Sequence, residues 1–185
     1  KRVVVSTYQA ASGAGRMAID ELTNQTAELF AGKEPKHEIF VKSLAFNCIP
    51  AIGSIQKSGY TSEEEKIHEE IPKLFNSPNI KITSTAVRVP VFCGHSSTVA
   101  IETEKKITVE DTKNIFAESK GIVLADDYIS PRDIAGKDPV YVSRIRQDNT
   151  VENGLMMWIV SDNLRKGAAL NAVQIAELVV EKGMV

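Results

Sequence analysis

Hydrophobic and polar positions along the chain change their spacing several times, which predicts strands and helices that interleave. Residues 3–5 form a short valine run that predicts a strand, and the small residues of positions 6–15 are expected to end it. From 15 to 31 apolar residues recur at helical spacing, and Gly32 follows where a helix C-terminus is expected. Residues 40–55 are apolar without a period, which predicts irregular structure.

Two further helices are predicted to begin at hydroxyl side chains. One begins at Thr61 or Ser62 and the other at Thr108, and each start is followed by acidic side chains, which stabilise the positive N-terminal end of a helix. The first of these helices is expected to reach residues 74–75, with Pro72 bending or restarting it. The second is expected to end near residues 120–121.

The remaining pattern predicts strands and a last helix. Residues 80–91 and 96–104 alternate and are rich in Ile, Thr and Val, which predicts two strands joined near Gly94. Further strands are predicted over 122–124, 140–146 and 155–160, the last a continuous apolar run typical of a strand buried on both faces. Residues 164–182 carry an apolar stripe and form the clearest helix. The irregular order of elements predicts an α+β domain with a mixed sheet.

Composition narrows the class of protein. The chain has 185 residues, of which 43% are hydrophobic, and its 22 basic and 24 acidic side chains leave a formal charge of −2. This balance excludes a disordered chain and gives no reason to expect nucleic acid or an anionic membrane as a partner. No apolar run approaches the ~20 residues of a membrane helix. Two cysteines fit a reducing cytoplasm, and the start at Lys1 without a methionine suggests a piece of a longer protein.

The first candidate for chemistry is the segment that holds Cys93 and His95. On one strand face they would lie about 6–7 Å apart, which exceeds the separation that a nucleophile and its base need. Cys93 is therefore interpreted as a small buried hydrophobe. His95 follows a glycine at a strand junction and is the better functional candidate, although a structural histidine is the open alternative.

Two other clusters have plain structural interpretations. The charged residues 63–73 fit a solvated helix face, and His68 has no second histidine at helical spacing, which disfavours a metal site. Residues 12–15 form a small glycine-rich loop before a helix, which could bind an anion or simply turn the chain. From these residues alone, the sequence predicts a cytoplasmic domain with a possible arginine and histidine site and no metal.

Four motifs in sequence order resemble those of the aspartate-semialdehyde dehydrogenase family. They are Val-Ser-Thr-Tyr-Gln-Ala-Ala-Ser-Gly-Ala-Gly at 5–15, Glu70 with Lys73, Arg-Val-Pro-Val-x-x-Gly-His-Ser at 88–96, and Trp-x-Val-Ser-Asp-Asn-Leu-Arg-Lys-Gly-Ala-Ala-Leu-Asn-Ala at 158–172. The resemblance implies the C-terminal domain type of glyceraldehyde-3-phosphate dehydrogenase, with 1–185 as the catalytic and dimerisation domain. It also implies that helix 164–183 packs on a dinucleotide-binding domain absent from this chain.

The resemblance further implies a reaction and residue roles. The family reduces aspartyl 4-phosphate to aspartate semialdehyde with NADPH, on the path to lysine, threonine, methionine and diaminopimelate, and works as a homodimer in the cytoplasm. The family's nucleophile is a cysteine that lies shortly before the Ser-Thr-Tyr-Gln segment. Neither Cys48 nor Cys93 has this sequence context, so the isolated chain is expected to be inactive. The implied roles are catalytic for His95 and Gln9, substrate-binding for Arg88, Glu70 and Lys73, and cofactor-binding for Ser12, Gly13 and Asn163.

Two alternatives to this function remain open from the sequence. A non-catalytic domain could keep the scaffold and self-associate without turnover. A related reductase could act on another acyl phosphate, such as N-acetylglutamyl phosphate. Arg88 together with Glu70 suits the carboxylate and ammonium of a free amino acid, which argues against an N-acetylated substrate.

Overall fold

The computed structural model describes residues 1–184 and contains a six-stranded mixed sheet with helices packed against it. The strands are β1 Arg2–Gln9, β2 Lys81–Arg88, β3 His95–Glu102, β4 Ile122–Leu124, β5 Val140–Asp148 and β6 Gly154–Ser161. The helices are α1 Arg16–Phe30, α2 Ser62–Leu74, α3 Val109–Glu118, α4 Pro131–Ile134 and α5 Leu170–Glu181. The 3-10 turn Ala11–Ala14 precedes α1, and the π-helical turn Arg165–Ala169 precedes α5. The predicted α+β class with a mixed sheet is confirmed.

The order of the strands brings four chain positions to one edge of the sheet. The strands lie in the order β2-β1-β3-β6-β5-β4, with β1 and β2 parallel and β3 antiparallel to both β1 and β6. The C-terminal ends of β1, β2 and β6 therefore lie beside the N-terminal end of β3. We call these four neighbouring strand ends the site edge; their terminal residues are Gln9, Arg88, Ser161 and His95.

One strand prediction needs correction. The first strand does not stop at residue 5 but continues to Gln9, because its later residues pair with the neighbouring strands, Tyr8 with Ser96 and Gln9 with Arg88. Long-range pairing overrides the local sequence signal here. The two strands predicted to be joined near Gly94 are β2 and β3, and β1 lies between them in the sheet.

Strand β6 is less completely buried than its apolar run predicts. Leu155, Met157 and Val160 are buried, whereas Met156 and Trp158 are only half-buried. The indole N–H of Trp158 donates to the carbonyl of Ile129 at 2.9 Å. The predicted burial on both faces is therefore incomplete among the described residues.

Helix α2 is fixed at its N-terminus, as its sequence predicts. The Thr61 hydroxyl accepts from the Glu64 backbone N–H, and the Glu64 carboxylate accepts from the Thr61 N–H, which completes a capping box. The other Glu64 oxygen accepts from the backbone N–H of Ala86 in the edge strand β2 at 2.8 Å. One buried carboxylate thus caps α2 and attaches its first turn to the sheet. Pro72 lies inside the helix, which continues to Leu74.

The irregular segment before α2 is held by one buried side chain of α1. The Gln25 amide oxygen accepts from the backbone N–H groups of Leu44 and Ala45, and its nitrogen donates to the Lys36 carbonyl. Leu44 is fully buried with Leu22 and other apolar residues of this part of the core. The aperiodic segment predicted over 40–55 is confirmed, and Gln25 replaces the backbone pairing that it lacks.

The last helix exposes its apolar residues. The predicted span of 164–182 divides into the π-helical turn and α5, and no residue of α5 is buried in the described part of the chain. Its large exposed apolar side chains are Val173, Ile175, Leu178 and Val180. None of the described helices is both long and apolar enough to cross a membrane.

Candidate active site

The predicted functional residues Gln9, Arg88 and His95 meet at the site edge. Gln9 and Arg88 are direct partners at the ends of β1 and β2, and His95 opens β3 on the other side of β1. Gly94 makes the turn into β3 with a φ of 90°, and a Cβ there would lie 2.9 Å from the Pro131 carbonyl oxygen. A side chain at that position would therefore be strained and would also clash.

Arg88 is a buried cation with few partners. It is 6% exposed, and its Nη1 donates to the carbonyl of Ala10 at 2.6 Å. Burial lowers the pKa of the guanidinium, and the nearby charge of Glu63 opposes that shift. Because an arginine stays protonated in proteins, the site edge keeps a fixed positive charge.

The same residue, Ala10, holds His95. The backbone N–H of Ala10 donates to Nδ1 of His95 at 3.1 Å, so the neutral ring carries its proton on Nε2. Burial, followed by the charge of Arg88, lowers the pKa of His95 to about 4. At neutral pH the ring is therefore uncharged, with Nε2–H as its free donor.

The depressed pKa of His95 can be measured directly. In an NMR titration we expect the His95 ring of the wild-type protein to protonate near pH 4, whereas Arg88→Met should raise that pKa because it removes the neighbouring positive charge. Arg16→Met is the matched control, since Arg16 is exposed on α1 and pairs with Asp20. An unchanged His95 pKa in Arg88→Met would contradict the electrostatic contact between the two side chains.

Gly13 lies against both Arg88 and His95. A Cβ added to Gly13 would lie 2.8 Å from Nη1 of Arg88 and 3.0 Å from Nε2 of His95. Its backbone N–H donates to the same Ala10 carbonyl that Arg88 uses. The glycine therefore lets the 3-10 turn approach the two functional groups closely.

Glu63 is a member of the site that the sequence interpretation missed. Its carboxylate accepts from Nε2 of Gln9 at 3.2 Å and lies 3.5 Å from the ammonium of Lys66. The charge of Glu63 acts on both Arg88 and His95. The sequence places Glu63 in the first turn of α2, two residues after the Thr61 cap, but it does not show which strand that turn contacts.

Glu70 and Lys73 are not brought to the site edge. Both are exposed, and Glu70 lies seven residues beyond Glu63, about 10 Å along α2 at 1.5 Å per residue. The Glu-x-x-Lys spacing that they form occurs one heptad earlier as Glu63 and Lys66. The geometry gives no support to the roles predicted for Glu70 and Lys73, whereas Glu63 of the earlier pair contacts Gln9 and Lys66 pairs with Glu63.

The three residues predicted to bind a cofactor lie close together. Ser12 and Asn163 are joined by hydrogen bonds of 3.0 and 3.1 Å, and the Asn163 amide oxygen also accepts from the Gly94 N–H at 2.9 Å. Gly13 follows Ser12 in the same turn. The end of β6, the first 3-10 turn and the start of β3 are thus linked beside His95.

Asp162 is a second residue without a predicted role. It is 3% exposed, and burial alone would raise the pKa of its carboxyl, but backbone N–H donors from Gly136, Leu164 and Arg165 hold it below its usual value. Its Oδ2 also lies 3.6 Å from Sγ of Cys93. Asp162 therefore fixes the turn that carries Asn163.

Cys93 has the properties of a thiol rather than a thiolate. Burial and the charge of Asp162 raise its pKa. A nucleophilic cysteine needs the opposite shift. The predicted small buried hydrophobe needs correction, because Cys93 is only half-buried and its thiol faces the polar oxygens of Asp162 and Asn163. In residues 1–184, no three His, Cys, Asp or Glu side chains are grouped so as to hold a metal ion.

Comparison with known proteins assigns the fold to a family. The family described as "Semialdehyde dehydrogenase, dimerisation domain" matches residues 1–166. The chain belongs to this family. This semialdehyde dehydrogenase dimerisation domain is 48% identical over 191 residues to the aspartate-semialdehyde dehydrogenase of Aquifex aeolicus. The alignment covers 100% of this chain and 56% of that protein.

Solved structures agree with the sequence comparison. The domain is similar to aspartate semialdehyde dehydrogenase II of Vibrio cholerae complexed with ASA, at a TM-score of 0.94 and 46% identity over 97% of this chain and 55% of that one. The aspartate semialdehyde dehydrogenase of Candida albicans, solved with NADP, has the same fold at a TM-score of 0.69 and 21% identity, covering 100% of this chain and 51% of that one. The predicted family resemblance and fold type are confirmed. The semialdehyde dehydrogenase dimerisation domain spans about half the length of the relatives that it matches.

Proposed function

We propose that the protein containing this domain converts L-aspartyl 4-phosphate to L-aspartate 4-semialdehyde with NADPH and releases phosphate. The observation that carries the proposal is that a buried guanidinium, Arg88, and a carboxylate, Glu63, both lie at the site edge, where Glu63 contacts Gln9. The planar fork of Arg88 suits an α-carboxylate, and the oxygens of Glu63 suit an α-ammonium. A free amino acid carries both groups, whereas an N-acetylated one lacks the ammonium.

The neutral side chains at the site edge suit proton transfer and orientation. His95 is the proposed acid and base, acting through Nε2, the ring nitrogen that Ala10 does not engage. The neutral ring carries its hydrogen on Nε2, so the proton cycle runs through the imidazolium form, in which Nδ1 is also protonated and the hydrogen bond from the Ala10 N–H is given up. A substrate carboxylate on Arg88 would offset the charge that lowers the pKa of His95, which moves the ring toward its working range. Gln9 is proposed to orient the reacting carbonyl, and Lys66 to bind the phosphate in place of Lys73.

The proposed cofactor is NADP, bound beside Ser12, Gly13 and Asn163. The hydroxyl and amide groups of Ser12 and Asn163 are uncharged donors and acceptors, and they complement the carboxamide of a nicotinamide ring. The close approach of Gly13 keeps the turn free of a side chain there. When bound, the reduced cofactor supplies the hydride, while the domain's residues hold the substrate against it.

The nucleophile and the rest of the cofactor site are proposed to lie outside residues 1–185. The raised pKa of Cys93 disfavours the thiolate that the reaction needs. Helix α5, with its exposed Val173 and Ile175, is proposed to pack on a dinucleotide-binding domain. We also propose that the protein is a cytoplasmic homodimer, which is supported by the family description, the free thiols and the half-buried Met156 and Trp158 of β6.

Two matched variants on α2 test this function and the choice of acidic residue. In the full-length protein, Glu63→Gln should raise KM for aspartate semialdehyde roughly 10- to 100-fold, the cost of losing a hydrogen bond to a charged group. Glu70→Gln removes the same charge from the exposed part of the helix and should change KM less than about twofold. Both are measured as phosphate-dependent reduction of NADP.

The outcomes of this experiment separate the alternatives. If Glu70→Gln raised KM strongly and Glu63→Gln left it unchanged, Glu70, the residue predicted from the sequence, would be the one that binds the substrate. Turnover of an N-acetylated semialdehyde by the wild-type protein, without turnover of the free one, would favour the related reductase. A protein that self-associates and turns over neither substrate would favour the non-catalytic alternative.

A further inference from the structure

A threonine of β1 contacts the side-chain amide of Gln9. Thr7 and Gln9 are two residues apart on one strand, so their side chains share a face of the sheet. The Thr7 hydroxyl lies 3.0 Å from Oε1 of Gln9, and Nε2 of the same amide lies 3.2 Å from Oε1 of Glu63. The three side chains form a short chain of hydrogen bonds that ends at the proposed substrate site.

The chemistry of the three groups fixes the direction of these hydrogen bonds. An ionised carboxylate only accepts, so the NH₂ side of Gln9 must face Glu63. Its carbonyl oxygen then faces Thr7, and the hydroxyl of Thr7 must donate to it. The reverse orientation would place the amide oxygen against the Glu63 carboxylate, with two acceptors facing one another.

Substrate binding changes the balance between the two contacts. In the proposed function the substrate ammonium uses the oxygens of Glu63, which weakens the contact that Glu63 makes with Gln9. The hydrogen bond from Thr7 is then the remaining side-chain contact described for Gln9 within residues 1–184. Its importance is therefore greatest in the substrate complex, when Gln9 must face the reacting carbonyl.

We infer that Thr7 is a positioning residue, which donates to Oε1 of Gln9 and so keeps Nε2 directed at the substrate during the reaction. This inference rests on the proposed function. Thr7 itself touches no reacting atom in the proposal, and its effect passes through Gln9. Valine has the shape of threonine without the donor, and serine keeps the donor, so the chain offers a matched pair of substitutions at one position.

Kinetics of the full-length protein test the positioning role. Thr7→Val should lower kcat about 2- to 10-fold, the equivalent of one neutral hydrogen bond, with KM nearly unchanged. Thr7→Ser should restore kcat. In a Gln9→Met background, Thr7→Val should have no further effect, because the side chain that it orients is gone. An equal kcat loss from Thr7→Val in both backgrounds would overturn the inference and indicate a structural role.

A second measurement separates this inference from the proposed function. The side-chain amide protons of Gln9 are followed by NMR in the wild-type protein and in both Thr7 variants. We expect slow hydrogen exchange of this amide in the wild-type protein and in Thr7→Ser, which both keep the hydroxyl, and faster exchange in Thr7→Val. If the wild-type protein does not turn over aspartate semialdehyde, the proposed function fails. The exchange data then still show whether the Thr7 hydroxyl orients the Gln9 amide. Equal exchange in all three proteins would overturn the inference.

Discussion

Replacing His95 by asparagine is expected to lower kcat of the full-length protein by roughly 10²–10⁴, the usual share of general acid–base catalysis, with KM nearly unchanged. Asparagine can place its Oδ1 near the position of Nδ1 and accept from the Ala10 N–H, which is the one hydrogen bond described for the ring. It has no group that corresponds to a titrating Nε2. The variant therefore removes proton transfer while the local fold is retained.

The neighbouring arginine provides the contrasting variant. Arg88→Lys should raise KM, because a point charge cannot reproduce two parallel hydrogen bonds to a carboxylate. A steady-state comparison of the two variants would contradict the assignment if His95→Asn altered KM alone and Arg88→Lys altered kcat alone. Near-normal kinetics in both would leave the domain as a scaffold without these roles.

The sequence correctly singled out three candidate site residues that the ends of neighbouring strands bring together. Arg88 and His95 belong to one motif, and Gln9 ends the first strand, so the parallel and antiparallel pairing of β1 with its neighbours places all three at one edge. The order of strands could not be predicted, because β1 inserts between β2 and β3 through contacts distant in the chain. The same long-range pairing extends β1 beyond its apolar run.

The sequence also could not decide which of two Glu-x-x-Lys pairs on α2 belongs to the site. Glu63 with Lys66 and Glu70 with Lys73 are separated by seven residues, so both pairs lie on similar faces of the helix. The distinction comes from how α2 docks, which Glu64 decides through its bond to Ala86. A capping box predicts where a helix begins but not which strand its first turn contacts.

Gly13→Ala is expected to lower kcat/KM of the full-length protein roughly 10²-fold, because a small misplacement of catalytic groups has effects of that size. The new methyl group would lie 2.8 Å from Nη1 of Arg88, closer than real Cβ contacts allow, and 3.0 Å from Nε2 of His95, which is an unusually tight contact. Both side chains are held by backbone groups of Ala10, so neither can retreat without loss of a hydrogen bond.

Gly167→Ala is the matched control for this variant. Gly167 lies in the π-helical turn, and a Cβ there would make only an ordinary contact of 3.8 Å with Cβ of Asn163. Thermal unfolding of each variant, measured beside the kinetics, separates a displaced site from a damaged fold. Activity of Gly13→Ala within about twofold of the wild type would mean that Arg88 and His95 can move without harm to the reaction. The close approach of the turn would then serve packing rather than the placement of the two functional groups.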